Sequence, residues 1–150
     1  VLCKKKKGKI DKLTLDGYIF HLEDCVIMLG TDIIKDKNGK VIFDKDIVVL
    51  EEYGIKAYGI AEIGVGYAGI KQLTFPIVFR EEDGYKWEYR IELYSPEGQE
   101  FAWSDLEVIG NIYENEQLYE KLKEEEENFW NEQRKIYEEN KNKYKIRRIK

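Results

Sequence analysis

Apolar positions along this chain follow two rules, and the change between them falls near residue 113. In the earlier part they alternate or cluster in short runs. Tyr85, Trp87, Tyr89, Ile91 and Leu93 alternate with Lys86, Glu88, Arg90 and Glu92, a period of two that predicts a strand over nine residues. Turn signals separate the other runs. Asp16-Gly17 divides Leu13–Leu15 from Tyr18–Leu22, and Asn38-Gly39 divides the apolar residues of 31–34 from Val41–Phe43. Asp83-Gly84 leads into the alternating strand. Asn-Gly and Asp-Gly tolerate positive φ at both central positions, so each predicts a two-residue hairpin turn. Ser95-Pro96-Glu97-Gly98 reads as a β-turn. Cys25–Leu29, Ile47–Leu50, Thr74–Arg80, Phe101–Trp103 and Leu106–Tyr113 complete the strand-like runs, with Pro76 marking an edge or a bulge. Residues 54–69 hold five glycines among apolar residues, which suits a twisted, bulged strand or a loop.

From Asn115 onward Gly and Pro vanish, and Leu118, Leu122, Phe129, Ile136, Tyr137 and Tyr144 recur at spacings of three, four or seven. That predicts one amphipathic helix of about thirty residues, on the order of 45 Å long. Asn115 is its expected N-cap. Glu dominates its beginning and Lys/Arg its end, the polarity a helix dipole favours. Gln133 and Asn140 interrupt the heptad pattern. So long a helix cannot hide its whole stripe on a body of roughly 110 residues. Either it projects and pairs with another helix, or its distal half is loosely held. The expected organisation is a β-rich domain over residues 1–113 and a helical segment over 114–150.

Composition narrows the function. Of 150 residues 43% are hydrophobic and 13% aromatic, enough for a core, so wholesale disorder is excluded. The formal charge of −5 is uneven. Residues 1–12 carry six Lys against Asp11, and residues 141–150 carry six Lys or Arg with no acid. The stretch between them, 13–140, has a net charge of −16. An acidic body disfavours a broad nucleic-acid face, although the basic ends could touch polyanions or a neighbouring subunit's acidic body. Taken alone, those ends read as solvated tails. Cys3 and Cys25 make no disulfide framework, no secretory or membrane-spanning run is present, and a reducing cytoplasm is the simplest address. A start at Val rather than Met leaves room for an upstream N-terminus.

Candidate chemistry is thin. Gly64-Val-Gly-Tyr-Ala-Gly69 fits the letters of a dinucleotide fingerprint, but β-rich residues and Pro76 follow where a helix is required. His21 and Cys25 offer two ligands where zinc wants three or four. Neither Ser95 nor Ser104 sits in a nucleophile elbow, and the carboxylates fall mostly in turns. We therefore expect no catalytic residue, no metal and no cofactor. The aromatic row Tyr85, Trp87 and Tyr89 could stack unpaired bases, but its nearby cations, Lys86 and Arg90, fall on the opposite face. Core packing or a subunit interface is the expected role.

Two segments carry a family resemblance. Lys35–Lys40 followed by Ile42-Phe43 and Asp46-Ile47-Val48, and Glu107–Asn115 continuing to Leu118, resemble the YopX family of phage and prophage proteins. Lys45 stands where that family commonly has Gly, and Glu116 where it has Pro. The family's opening strand is not evident, and the helix runs past the family's usual end. The resemblance spans roughly residues 31–120 and implies a mainly β (α+β) fold, a small partly open β-barrel-like domain ending in a helix. It carries over no catalytic residue. Physically, Gly110, Asn111 and Asn115 read as a strand-to-helix hinge.

The expected function is that of a cytoplasmic phage or prophage accessory protein acting by binding, as a homo-oligomer or on a host or phage protein. Its interaction residues are expected among Tyr85, Trp87, Tyr89, Leu122, Phe129, Trp130, Ile136 and Tyr137. The alternatives are a single-stranded nucleic-acid module using the basic ends, and an acidic DNA mimic that inhibits a host protein.

Overall fold

The computed structural model describes residues 2–5, 10–12, 25–64, 66–93 and 102–149. In chain order the elements are β1 (Leu2–Lys5), β2 (Ile10–Lys12), β3 (Cys25–Met28), β4 (Gly30–Lys35), β5 (Val41–Phe43), β6 (Asp46–Glu52), β7 (Ile55–Gly64) and β8 (Tyr67–Gln72). There follow β9 (Ile77–Glu82), β10 (Tyr85–Arg90), a 3-10 turn (Trp103–Asp105), β11 (Glu107–Asn111) and α1 (Glu116–Ile149). The expected Asp16-Gly17 hairpin, the Ser95–Gly98 turn, His21 and Phe101 lie outside the described residues.

The fold is mainly β with one long helix. Its strands form four separate antiparallel groups, ordered β2-β1-β3, β4-β5, β11-β6-β7-β8 and β9-β10. This bears out the mainly β (α+β) expectation, and among the described residues the sheets do not close into a barrel. The body is built around a central sheet covered on both faces. Val48 and Leu50 of β6, Ala57, Ala61 and Ile63 of β7 and Ile70 of β8 point to one side, where Ile42, Val78, Ile91, Leu93 and Leu106 bury them. Ile47 and Ile60 point to the other side, where Leu73 and Leu122 of α1 meet them, flanked by Tyr58, Ile112, Leu118 and Tyr119. Strand β6 is therefore apolar on both faces, which explains its continuous rather than alternating pattern.

Several boundaries differ from expectation for identifiable reasons. The Asn38-Gly39 segment is not a two-residue turn: Lys35 pairs with Val41, and only Gly39 has positive φ. Asp36 imposes this longer loop. Its Oδ1 accepts the N–H of Asn38 and of Lys40, each at 2.9 Å, and its Oδ2 accepts the N–H of Val108 at 3.0 Å. Pro76 precedes β9 rather than lying within it, and the stretch around Trp103 is a 3-10 turn rather than a strand. The glycine-dense region is a regular β7–β8 hairpin in unbroken register, so the dinucleotide-like glycines flank a hairpin turn. Strand β10 ends at Arg90, ahead of the buried Ile91 and Leu93.

The two segments behind the family resemblance lie side by side. Asp46 pairs with Asn111 and Val48 with Val108, and a bulge at Ile109 shifts the register between them. The corner before β6 is pinned from several directions. Asp46 Oδ2 accepts the Phe43 N–H at 2.8 Å, and Asp44 Oδ1 accepts the Ile63 N–H at 2.9 Å. Lys45 donates its backbone N–H to Ala61 and accepts that of Ile112. Its φ of 67° lies in the left-handed region, which explains why Gly suits this position.

Two outcomes follow for stability. Burial pushes the Asp36 carboxyl up, but the N–H groups of Val108, Lys40 and Asn38 and the nearby Lys40 charge outweigh it and hold the group below its ordinary value. A depressed acid contributes stability at neutral pH that is lost as pH falls below about 4, through the folded-state value. Asp36→Asn keeps one acceptor and sets an NH2 against a backbone donor, so it should cost about 2–4 kcal/mol at pH 7. Urea titrations at pH 7 and pH 3 should show a smaller gap between variant and wild type in acid. Lys45→Gly should relieve the left-handed strain and raise stability by about 0.5–1 kcal/mol in the same assay.

Candidate interaction surfaces

The β9–β10 hairpin turns through Asp83 and Gly84, both at positive φ, as their pairing in sequence predicts. Its aromatic row is not core. Tyr85 is 70% exposed, Trp87 46% and Tyr89 37%, which overturns the core-packing half of the expectation. The same face holds a cation that the β10 pattern alone does not reveal. Arg80 of β9 pairs across from Trp87. Its guanidinium carbon lies 3.9 Å from the Tyr53 ring centroid and 5.9 Å from that of Trp87, and Nη1 donates to the Tyr53 hydroxyl at 2.7 Å. Counting back from Asp83-Gly84 would have found it, because a two-residue turn sets residue 80 opposite residue 87.

Acidic groups rim this face. The Tyr89 hydroxyl donates to Glu52 at 2.9 Å; burial and that carboxylate together push the phenol above its usual range. Glu82 lies 3.3 Å from Arg80, whereas Glu81 pairs with Lys86 at 3.9 Å on the opposite face of the hairpin. The arrangement offers flat rings, one stacked guanidinium and exposed carboxylates. Among the described residues no three His, Cys, Asp or Glu gather as a metal site. The buried carboxylates Asp36 and Asp46 are engaged by backbone N–H groups, which suits them to structure rather than proton transfer.

The second surface is α1, set in place by the hinge before it. Asn111 is fully buried; its Oδ1 accepts the N–H groups of Tyr113 and Glu114, and its Nδ2 donates to Glu114. Asn115 precedes the helix as expected, but its side chain turns back to accept the Asn111 N–H at 3.1 Å. A Cβ on Gly110 would push that Asn115 oxygen away from the Asn111 N–H, so glycine at 110 keeps this hinge contact.

Beyond the hinge, Leu118 and Leu122 dock on the sheet. Phe129 stacks on Phe75 at 4.3 Å, with Trp130 edge-on to both rings and Arg90 over Phe129 at 4.9 Å. Ile136, Tyr137 and Tyr144 are exposed. The expected interaction residues thus divide: Leu122 and Phe129 hold the helix to its own body, Trp130 straddles the boundary, and Ile136 and Tyr137 face outward. Residues 134–149 extend about 24 Å past the docked half. The basic C-terminal segment is therefore not a coil tail but the last turns of a helix. Among the described residues, no helix is long and apolar enough to cross a membrane.

Burial separates the two surfaces in stability terms. Leu122→Ala empties a buried site and should cost about 2–5 kcal/mol, whereas Trp87→Ala should cost under about 1 kcal/mol. Thermal or urea denaturation of the pair checks this directly.

The neighbouring segments Lys35–Val48 and Glu107–Asn115 are thus the structural heart of the body, and a comparison of the chain with family models addresses the same region. Curated proteins and solved structures give no match. The model described as YopX protein matches residues 3–120, reaching well before the segments that carry the resemblance. By that match over most of its length, the chain belongs to the YopX family.

Proposed function

We propose that this protein is a phage or prophage accessory protein that works without catalysis, as a self-associating binding module in the bacterial cytoplasm. The observation that carries this reading is the division of α1. Its first half is used on its own sheet, while its second half leaves Ile136, Tyr137 and Tyr144 in solvent on a rigid element. Apolar rings held out on a projecting helix gain most by meeting another surface, and a second copy is always available at the same concentration. The engagement of Asp36 and Asp46 by backbone N–H groups supports a non-catalytic role.

A second reading draws on Arg80 between Tyr53 and Trp87 and on the exposed Lys141 and Lys143. Rings beside a guanidinium suit unpaired bases, and the basic helix end suits phosphates. The acidic rim of the hairpin weighs against it.

Light scattering of the full chain should give a multimer, and a chain ending at Gln133, which keeps the docked half, should run at the protomer mass. A monomeric full chain, or an assembly unchanged by that truncation, rejects α1 as the assembly element. Quenching of tryptophan fluorescence by a random single-stranded oligonucleotide, lost steeply with salt and abolished by Arg80→Glu, would instead favour the nucleic-acid reading.

A further inference from the structure

We propose that β10 is a self-pairing edge, joined antiparallel to the β10 of a second copy about a two-fold axis at Trp87. This contact is separate from α1 and goes beyond the helix-based reading above. Among the described residues β10 has β9 as its only strand neighbour, and all five side chains from Tyr85 to Tyr89 are exposed. An open edge with unpaired N–H and C=O groups is a template for another strand.

The backbone sets which residues face outward. The two-residue Asp83-Gly84 turn makes Glu82 and Tyr85 a hydrogen-bonded pair, and the Ile91 N–H donates to the Pro76 carbonyl at 3.0 Å in the same phase. Tyr85, Trp87 and Tyr89 therefore bond to β9, while Lys86, Glu88 and Arg90 direct their N–H and C=O groups to the open edge. A second antiparallel strand must set these even-numbered residues against one another.

Charge selects among the registers. Centred on Lys86 or Glu88, the contact sets that residue against its own copy, and the latter also sets Lys86 against Arg90. Centred on Trp87, Lys86 meets the partner's Glu88 twice, Tyr85 meets the partner's Tyr89 twice, and Trp87 meets itself. Centring on Tyr89 also alternates charge, but it needs Arg90, which donates to the Phe75 carbonyl and lies over Phe129, and it runs past the strand's end. Lys86 is 79% exposed beside Glu81, and among the described residues no cation pairs with Glu88. Both charges stand on one face of the hairpin, where directly opposed strands bring them together.

Six residues a side bury less than the ~1,200 Å² of a stable interface, so this contact forms at high concentration, and a chain shortened at Gln133 stays a protomer when dilute. Disulfide trapping in the full-length chain tests it, with Cys3→Ser/Cys25→Ser as the background and circular dichroism confirming that each variant stays folded. Residues opposed without hydrogen bonds across an antiparallel pair have Cα atoms about 4.5 Å apart, within disulfide reach. At high protein concentration Trp87→Cys should form linked dimers at least about tenfold faster than Phe79→Cys, an exposed control on β9. Tyr85→Cys and Tyr89→Cys should link only when mixed. Glu88→Lys added to Trp87→Cys should slow linking by about fivefold or more, and mixing with Lys86→Glu/Trp87→Cys should restore it. Equal rates at 87 and 79, or Tyr85→Cys linking as fast alone as in the mixture, overturns this pairing and leaves association through α1 standing. Linking at 87 in a full chain that light scattering finds monomeric when dilute keeps the edge pairing and rejects the helix reading.

Discussion

A central strand that is apolar on both sides governs this structure. Ile47 of β6 faces one way and Val48 and Leu50 the other, so the sheet cannot leave either face in water. Burying a Val, Leu or Ile side chain contributes about 1.5–3 kcal/mol, and β6 has such residues on both sides of one short strand. One face is closed by β5, β9 and the 91–93 and 106 segments. For the other, α1 supplies the cover through Leu118 and Leu122. The helix is thus a structural necessity of the sheet, and its docking direction is fixed before any partner is considered.

Polar ties convert that packing into one definite arrangement. Asp36 joins the β4–β5 loop to β11 across 72 positions of sequence, and Asn111 bends the chain from β11 into the helix. Each satisfies backbone donors that would otherwise be buried without partners, a cost of about 1–3 kcal/mol apiece. Gly110 and the left-handed Lys45 sit at the same junction. The two segments on which the family resemblance was read, Lys35–Val48 and Glu107–Asn115, meet at this corner, and their residues have a sufficient explanation in folding.

Much of this was legible from residues alone. Asp83-Gly84 announced a hairpin because its conformational demand is local, and the loss of Gly and Pro after Asn115 announced the helix. What sequence could not reveal depended on distant partners. Asp36 reads as a turn residue until Val108 arrives beside it. The Asn38-Gly39 turn is longer than its two residues suggest because Asp36 captures two of the loop's N–H groups. The alternation at Tyr85–Leu93 correctly indicated one face, but only Ile91 and Leu93 at its far end are buried. Periodicity reports which residues share a side, not whether that side is covered. In α1, likewise, spacing identified the stripe while the size of the sheet decided where docking stops.

The account assigns two tasks to one helix: closing its own sheet with residues 116–130, and meeting a partner with residues 134–149. Amide hydrogen exchange along α1, followed as protein concentration is raised, tests that division most directly. The docked half should be strongly protected at every concentration, and the distal half should gain protection only as the protein becomes concentrated. Distal amides that exchange at one rate regardless of concentration would contradict the account, as would a docked half that exchanges as freely as an isolated helix.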